Sequence, residues 1–113
     1  MTKIFCDIAD LTLIKKFDKK KIVKGFTTNP SLISKTGAKD YKNYCKKILK
    51  ITKKPISIEI FVDTPNIMNI HGEKISKWGK NVFVKVPVVN SKGVFMGSVI
   101  RNLNLNNIKL NIT

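Results

Sequence analysis

Two spacings of hydrophobic residues alternate along the chain. Short runs rich in isoleucine and valine alternate apolar and polar side chains, which is typical of strands, and longer segments place apolar residues three and four positions apart, which is typical of helices. The strands predicted in this way are residues 3–7, 22–28, 56–62, 82–87 and 108–113. Four successive βα repeats followed by a fifth strand predict a single α/β domain whose parallel sheet is covered by helices.

Local sequence signals mark where the predicted helices begin. Asp10 precedes an apolar helical pattern and is a typical N-cap residue. Asn29 and Thr64 are each followed by proline, which is favoured at the first position of a helix. For the helix after Thr64, the spacing predicts one buried side formed by Ile67, His71, Ile75 and Trp78.

Polar side chains recur near the carboxyl ends of the predicted strands. Because side chains alternate faces along a strand, Val84 and Val86 point one way and Lys85 points the other way. Polar sets that converge at the carboxyl ends are typical of a (β/α)8 TIM barrel. We therefore predict a partial barrel with about five of its eight strands, and a flavodoxin-like open sheet is the alternative. The residues expected at this mouth are Asp7, Thr27, Asn29, Glu59, Lys85, Asn111 and Thr113.

The chain is strongly basic. Its 113 residues include 22 Lys and Arg against 7 Asp and Glu, a net charge of +15, and Arg101 is the single arginine. Such a charge favours contact with phosphate, so a basic nucleic-acid-binding module is one alternative function. Base readout and stacking rely on arginine and aromatic residues, which are scarce here. We therefore expect solvated lysine-rich helix faces and no specific nucleic-acid partner.

Membrane, leader and metal signals are weak in the sequence. No apolar run approaches the ~18–20 residues that span a bilayer, and Asp7 comes too early for a secretory leader, so we expect no membrane partner and a cytoplasmic location. Cys6 and Cys45 are too few and too far apart for a metal pattern, and His71 is the only histidine. We therefore expect no metal site.

Lys85 is the residue with the most distinctive chemistry. Burial of a lysine favours the neutral amine, and a neutral amine is a nucleophile toward a carbonyl, which leads to a Schiff base. Carboxylates such as Asp7 and Glu59 on the same face could move protons during that reaction. The alternatives are a lysine that extends to the rim of the barrel and carboxylates that merely pair with it.

Five segments resemble the transaldolase family, from residue 4 to residue 113. They are the sequence GFTTNPSLI at residues 25–33, VFVKVP at 82–87 around Lys85, Asp7 after the first strand, IEI at 58–60 around Glu59, and LNIT at 110–113. The early position of Asp7 resembles the small-subunit branch of the family, which is related to fructose-6-phosphate aldolase. That enzyme is expected to carry glutamine at the position of Glu59, so the glutamate favours transaldolase, and the aldolase is the alternative.

The resemblance implies a transferase of the pentose phosphate pathway that uses a covalent Schiff base on Lys85 and no cofactor. It would move a dihydroxyacetone unit from a ketose phosphate such as sedoheptulose 7-phosphate to an aldose phosphate such as glyceraldehyde 3-phosphate. Asp7 would take the proton from the C4 hydroxyl, and Glu59 and Thr113 would hold a water. Substrate would be bound by Asn29, Thr27 and Asn111, with the two asparagines on its hydroxyls. Members of this branch form homo-oligomers.

The length of the chain differs from that of a whole barrel, which needs about 200–250 residues. We therefore expect residues 1–113 to be the N-terminal portion of one barrel domain, truncated after the fifth strand. The family's phosphate-binding arginine and serine have no counterpart in this portion. We expect the 113-residue chain alone to be weakly active or inactive, and an inactive fragment is a further alternative.

Overall fold

The computed structural model describes residues 2–113 as strands and helices that alternate along the chain, except that two helices follow the second strand. The elements are β1 Ile4–Asp7, α1 Leu11–Asp18, β2 Val23–Thr27, α2 Pro30–Lys35, α3 Tyr41–Ile51, β3 Ile56–Glu59, α4 Pro65–Ser76, β4 Val82–Val86, α5 Gly97–Leu105 and β5 Leu110–Ile112. All five predicted strands are present, although each is shorter than the sequence pattern suggested.

The five strands form one parallel sheet in the order β1-β2-β3-β4-β5. Each strand therefore lies beside its neighbour in sequence, as in a (β/α)8 barrel. A flavodoxin-like sheet would have the order 2-1-3-4-5, so the open-sheet alternative is wrong. The sheet is curled, and the chain forms five strands of a partial (β/α)8 barrel, which confirms the predicted fold class.

The core lies between the outer face of the sheet and the helices. Ile58 of β3 and Val84 of β4 are fully buried there, and Ile48 of α3, Ile75 of α4 and Leu103 of α5 pack into the same cluster with at most 1% exposure. These strand residues alternate with polar residues that point to the other face. The period-two pattern of the sequence therefore separates an apolar outer face from a polar inner face.

Two helix starts follow the prediction closely. The Asp10 carboxylate accepts a hydrogen bond from the backbone amide of Leu13 at 3.0 Å, and the Asn29 side-chain oxygen accepts one from the amide of Leu32 at 2.8 Å. Thr64 is also at an N-cap position, but its side chain makes no capping bond there. α4 therefore begins at a proline, as predicted, but without a side-chain cap.

The predicted buried side of α4 is partly wrong. Ile67 is 46% exposed, and Trp78 lies beyond the last residue of the helix. The buried residues are Met68, Gly72 and Ile75. A Cβ atom at Gly72 would lie 2.8 Å from the Leu103 side chain, so α5 approaches α4 closely at this glycine. This close approach turns the Gly72 side of α4, and not the Ile67 side, toward the core.

Candidate active site

Strand register brings the polar residues of the inner face together. Glu59 of β3 pairs with Lys85 of β4, and Lys85 pairs with Asn111 of β5. Toward the opposite edge of the sheet, on the same inner face, Asp7 of β1 pairs with Thr27 of β2. Because all strands are parallel, the five residues lie near the carboxyl ends of adjacent strands, as the sequence predicted.

One hydrogen bond shows how strongly the sheet curves. The Asn111 side-chain amide of β5 donates to the Ser57 hydroxyl of β3 at 2.9 Å. These two strands are separated by β4, and in a flat sheet they would lie about 9.5 Å apart. Since the two side chains meet across β4, the inner face is concave and its polar groups converge. Ser57 was not among the predicted site residues.

Asp7 has a defined partner on this face. Its carboxylate accepts a hydrogen bond from the Thr27 hydroxyl at 2.9 Å. Asp7 remains exposed to solvent, while Thr27 is half-buried. The sequence analysis predicts that Thr27 binds substrate, and the structure shows that its hydroxyl contacts the Asp7 carboxylate and restricts the orientation of that group.

Lys85 is half-buried and not fully buried. Its neighbours Val84 and Val86 are fully buried on the outer face, so the alternation predicted for this strand is confirmed. The inner face is open, which leaves the lysine accessible to solvent between the carboxylate of Glu59 and the amide of Asn111 in the strand register. An amine in this position can be reached by a carbonyl compound from solution.

Asn29 and Thr113 occupy the ends of structural elements. The Asn29 side-chain oxygen caps α2, so this amide is held at the start of the helix that follows β2. Thr113 follows β5 and is exposed. Its backbone amide donates to the carbonyl of Val86 at 3.0 Å, and its carbonyl accepts from the amide of Val88. Both residues therefore lie at the carboxyl ends of strands, as predicted.

Two tyrosines of α3 hold the carboxyl ends of the first and third strands. The Tyr41 hydroxyl donates to the backbone carbonyl of Glu59 at 3.1 Å, and the Tyr44 hydroxyl donates to the carbonyl of Ala9 at 2.7 Å. The sequence pattern marked both tyrosines only as apolar positions of a helix. The two tyrosines are three residues apart and therefore lie on one side of α3. This spacing is the sequence signal that could have indicated that both hydroxyls bind strand ends.

Burial raises the pKa of two neighbouring groups on α3. Burial, with smaller effects of nearby Cys45 and Glu59, raises the pKa of the Tyr41 hydroxyl well above its usual range. Burial raises the pKa of the Cys45 thiol to about 12. Both groups thus stay protonated well above neutral pH, and Cys45 is a poor nucleophile because the thiolate is the reactive form.

A depression lies below the polar layer on the inner face. It has a volume of about 270 Å³ and is lined in part by Phe5, Ser57 and Phe83. Gly25 lies beside Phe5 in the strand register. A Cβ atom at Gly25 would lie 2.5 Å from the Phe5 ring and 2.7 Å from the carbonyl oxygen of Pro55, so only glycine fits there without a shift. The aromatic rings and Gly25 form the floor beneath the polar residues.

The loops after β3 and β4 are joined near the mouth. Asp63 accepts hydrogen bonds from both the hydroxyl and the backbone amide of Ser91, the latter at 3.0 Å, and Asn90 donates to the Asp63 carbonyl at 3.1 Å. The bonds from Ser91, assisted by the charge of Lys92, lower the pKa of the Asp63 carboxyl. This contact fixes the loop that follows Lys85 against the loop that follows Glu59.

Across residues 2–113, no three His, Cys, Asp or Glu side chains come close enough to form a metal site. None of the helices described there has the length and hydropathy needed to cross a membrane.

The sequence matches known proteins over almost its whole length. The profile of the family described as Transaldolase/Fructose-6-phosphate aldolase matches residues 4–113. A probable transaldolase of Thermoplasma volcanium is 39% identical over 113 residues, which is 98% of this chain and 49% of the relative. Probable transaldolases of Streptococcus agalactiae serotype V and Dehalococcoides mccartyi are each 35% identical, again over 98% of this chain and 49% and 50% of the relatives. The chain thus spans about half the length of these curated relatives.

Proposed function

We propose that this chain, which belongs to the transaldolase/fructose-6-phosphate aldolase family, carries the Schiff-base lysine of a transaldolase. The observation that carries the proposal is the position of Lys85, half-buried on the concave face between Glu59 and Asn111 in the strand register. A lysine flanked by a carboxylate and an amide at the carboxyl ends of parallel strands is suited to covalent chemistry on a carbonyl.

The proposed reaction has two halves on the same lysine. The neutral amine of Lys85 attacks the C2 carbonyl of a ketose phosphate, water leaves, and a protonated Schiff base forms. Asp7 then takes the proton of the C4 hydroxyl, the C3–C4 bond breaks, and an aldose phosphate departs. The electron pair of that bond remains as a three-carbon enamine on Lys85. Attack of this enamine on the aldehyde of a second aldose phosphate reverses the steps.

The contacts around Asp7 support its role as the base for the C4 hydroxyl. The bond from the Thr27 hydroxyl holds one carboxylate oxygen at 2.9 Å, and the other oxygen is available to a substrate. Tyr44 anchors the backbone two residues later, at Ala9. A base whose orientation is fixed in advance needs little rearrangement when the substrate binds.

The remaining site residues have proposed roles at the same mouth. Glu59, together with Thr113, holds the water that exchanges protons while the Schiff base forms and breaks. Asn111 binds hydroxyls of the retained fragment, and its contact with Ser57 keeps the amide directed across the concave face. Asn29 binds substrate hydroxyls from the start of α2.

Fructose-6-phosphate aldolase activity is the second candidate, because the family includes both enzymes. The carboxylate of Glu59 favours transaldolase, since it can both donate and accept a proton at the water site, whereas an amide cannot. We expect Glu59→Gln to lower transfer between two sugar phosphates more than it lowers simple cleavage of fructose 6-phosphate. Equal effects on both reactions would contradict this choice.

We further propose that residues 1–113 work as the first part of a barrel in a homo-oligomeric cytoplasmic enzyme without a metal or organic cofactor. The exposed apolar side chains of the first and last strands support the part that concerns the barrel: Phe5 is 43% exposed and Ile112 is 51% exposed. Strands at open edges are normally covered in proteins of this kind. The free thiols of Cys6 and Cys45 are usual in a reducing compartment.

The test joins residues 1–113 to the part of the Thermoplasma volcanium relative that this chain does not cover. The fusion is incubated with sedoheptulose 7-phosphate and borohydride, digested, and analysed by mass spectrometry. We expect a reduced sugar adduct on the peptide that contains Lys85, because borohydride reduces the Schiff base to a stable amine. Addition of glyceraldehyde 3-phosphate before borohydride should lower the yield of the adduct.

The control compares two lysines of the same sheet. Lys85→Met should abolish the adduct, and Lys24→Met, which changes an exposed lysine on β2, should leave it unchanged. An adduct on another lysine, or one that persists in Lys85→Met, would refute the proposal. A folded fusion without any adduct would favour the inactive-fragment alternative.

A further inference from the structure

A second cavity lies on the outside of the barrel, between α3 and α4. Its volume is about 830 Å³, which is in the usual range for a small-molecule site. Five of its eleven lining residues are lysine, compared with 21 lysines among the 113 residues of the chain, so positive charge is concentrated here beyond the general excess. The five are Lys39, Lys42, Lys46, Lys74 and Lys77.

Among residues 2–113, Asp40 is the one carboxylate that lines this groove, and its oxygens accept hydrogen bonds from a neighbouring residue. Asp40 caps α3, and its two oxygens accept hydrogen bonds from the backbone amide and the side-chain amide of Asn43 at 3.1 and 2.9 Å. The lysine side chains are therefore the dominant charges around the cavity. Lysine is a common phosphate ligand in proteins because its ammonium group acts as a compact point charge.

Aromatic rings form one wall of the same groove. Tyr41 lies edge to face with Phe61 at 4.8 Å and with Trp78 at 6.3 Å between ring centroids, and Phe61 contacts His71 at 5.7 Å. Phe61 is 53% exposed, so much of its surface faces solvent. Exposed aromatic rings in a basic groove are the elements that bind a planar base together with phosphate groups.

We propose that this groove binds a nucleoside polyphosphate, with its phosphates on the lysines and its base against Phe61 and Trp78. The groove is lined by helix and loop residues outside the sheet, whereas Lys85 lies on the concave inner face. The inference is therefore independent of the proposed transaldolase chemistry. It gives a function to Trp78, which the sequence pattern had marked only as a buried helix position.

The intrinsic fluorescence of the chain gives a direct test, because Trp78 is the only tryptophan. Trp78 is excited at the red edge of its absorption band, where ATP absorbs little. Titration with ATP should then quench its fluorescence in a saturable way. Tripolyphosphate supplies the charge without the base, and adenosine supplies the base without the charge. Since one stacked base contributes ~1–3 kcal/mol, tripolyphosphate should bind about five- to 150-fold more weakly than ATP.

Variants separate a built site from general attraction to a basic protein. The double variant Lys74→Gln/Lys77→Gln should weaken ATP binding at least about tenfold, because two charge-assisted contacts are lost. The pair Lys19→Gln/Lys20→Gln removes the same charge at exposed positions outside the groove and should leave binding unchanged. Phe61→Leu should weaken ATP binding and leave tripolyphosphate binding unchanged.

Each contrary result overturns the proposal. The groove is not a nucleotide site if ATP gives no saturable quench, or if tripolyphosphate binds as tightly as ATP. Equal losses in the two lysine pairs would show nonspecific attraction. If an oligonucleotide binds more than about tenfold tighter than ATP, the ligand of this groove is a nucleic acid and not a mononucleotide, because phosphate contacts then add along the strand.

Discussion

The two faces of the sheet consist of the same five strands and differ in packing and chemistry. On the outer face, Ile58 and Val84 are fully buried against helices. On the inner face, the next residues along the same strands are Glu59 and Lys85, which are half-buried. A shift of one residue therefore separates a position in the core from a position in the candidate active site.

This contrast implies that stability and chemistry are carried by alternate residues of each strand. The outer face contributes the free energy of burying apolar side chains, which scales with the area removed from water. The inner face contributes groups whose charges and hydrogen bonds can act on a substrate. Substitutions at adjacent positions should therefore change different measurable properties.

The largest effect on stability is expected on the outer face. Ile58→Ala should lower the free energy of unfolding by about 2–5 kcal/mol, because a fully buried side chain is lost and a cavity remains. Glu59→Gln, one residue later, should change it by about 0.5 kcal/mol or less. Urea unfolding of both variants measures the difference, and similar losses would contradict the division between the faces.

The second prediction concerns an inner-face position that carries stability. Gly25→Ala should cost about 1–3 kcal/mol, because the added Cβ would collide with the Phe5 ring and with the carbonyl of Pro55. Gly79→Ala is the matched control, since its nearest contacts would be 3.3 Å or longer. Unfolding free energies of the two variants are compared, and Gly79→Ala should be the milder change.

A double variant identifies which contact at Gly25 matters. Phe5→Leu removes the ring but leaves the backbone oxygen of Pro55 at 2.7 Å. Adding Phe5→Leu to Gly25→Ala should therefore restore only part of the lost stability. Full recovery would show that the ring alone requires glycine, and a neutral Gly25→Ala would show that the inner face adapts without cost.

Much of the fold could be predicted from the sequence, because the period-two strand pattern and the helix-start residues are local signals. The boundaries were less accurate. β3 ends at Glu59 instead of residue 62, and there the Glu59 carbonyl accepts from Tyr41 of α3. That contact depends on a residue 18 positions earlier in the chain, which no local pattern contains. The close approach of α5 to Gly72 changed the buried side of α4 for the same reason.

The candidate site shows the same limit. Residue types and strand ends predicted which side chains lie at the mouth, and the register places Glu59, Lys85 and Asn111 side by side. The bond between Asn111 and Ser57 could not be predicted, because it depends on the curvature of the whole sheet. The sequence left open whether Lys85 is buried or extends to the rim of the barrel, and on the open concave face it is half-buried.

The smallest effect is expected where neither face of the sheet is involved, at the contact between Asp63 and Ser91. The hydrogen bonds from Ser91 lower the pKa of the Asp63 carboxyl in the folded chain below the unfolded value of about 3.9. A group with a lowered folded pKa stabilises the fold above its unfolded pKa, and this contribution is lost as pH falls through the folded pKa. Wild type should therefore melt slightly higher than Asp63→Asn at neutral pH, and the difference should shrink below about pH 4. Thermal melts of both proteins over this pH range make the measurement.

Because Asp63 is exposed, salt and solvent screen its charge, and the difference should stay below that expected for Gly25→Ala. A gap between the two proteins that widens in acid would show that another group, and not this carboxylate, links the two loops to stability.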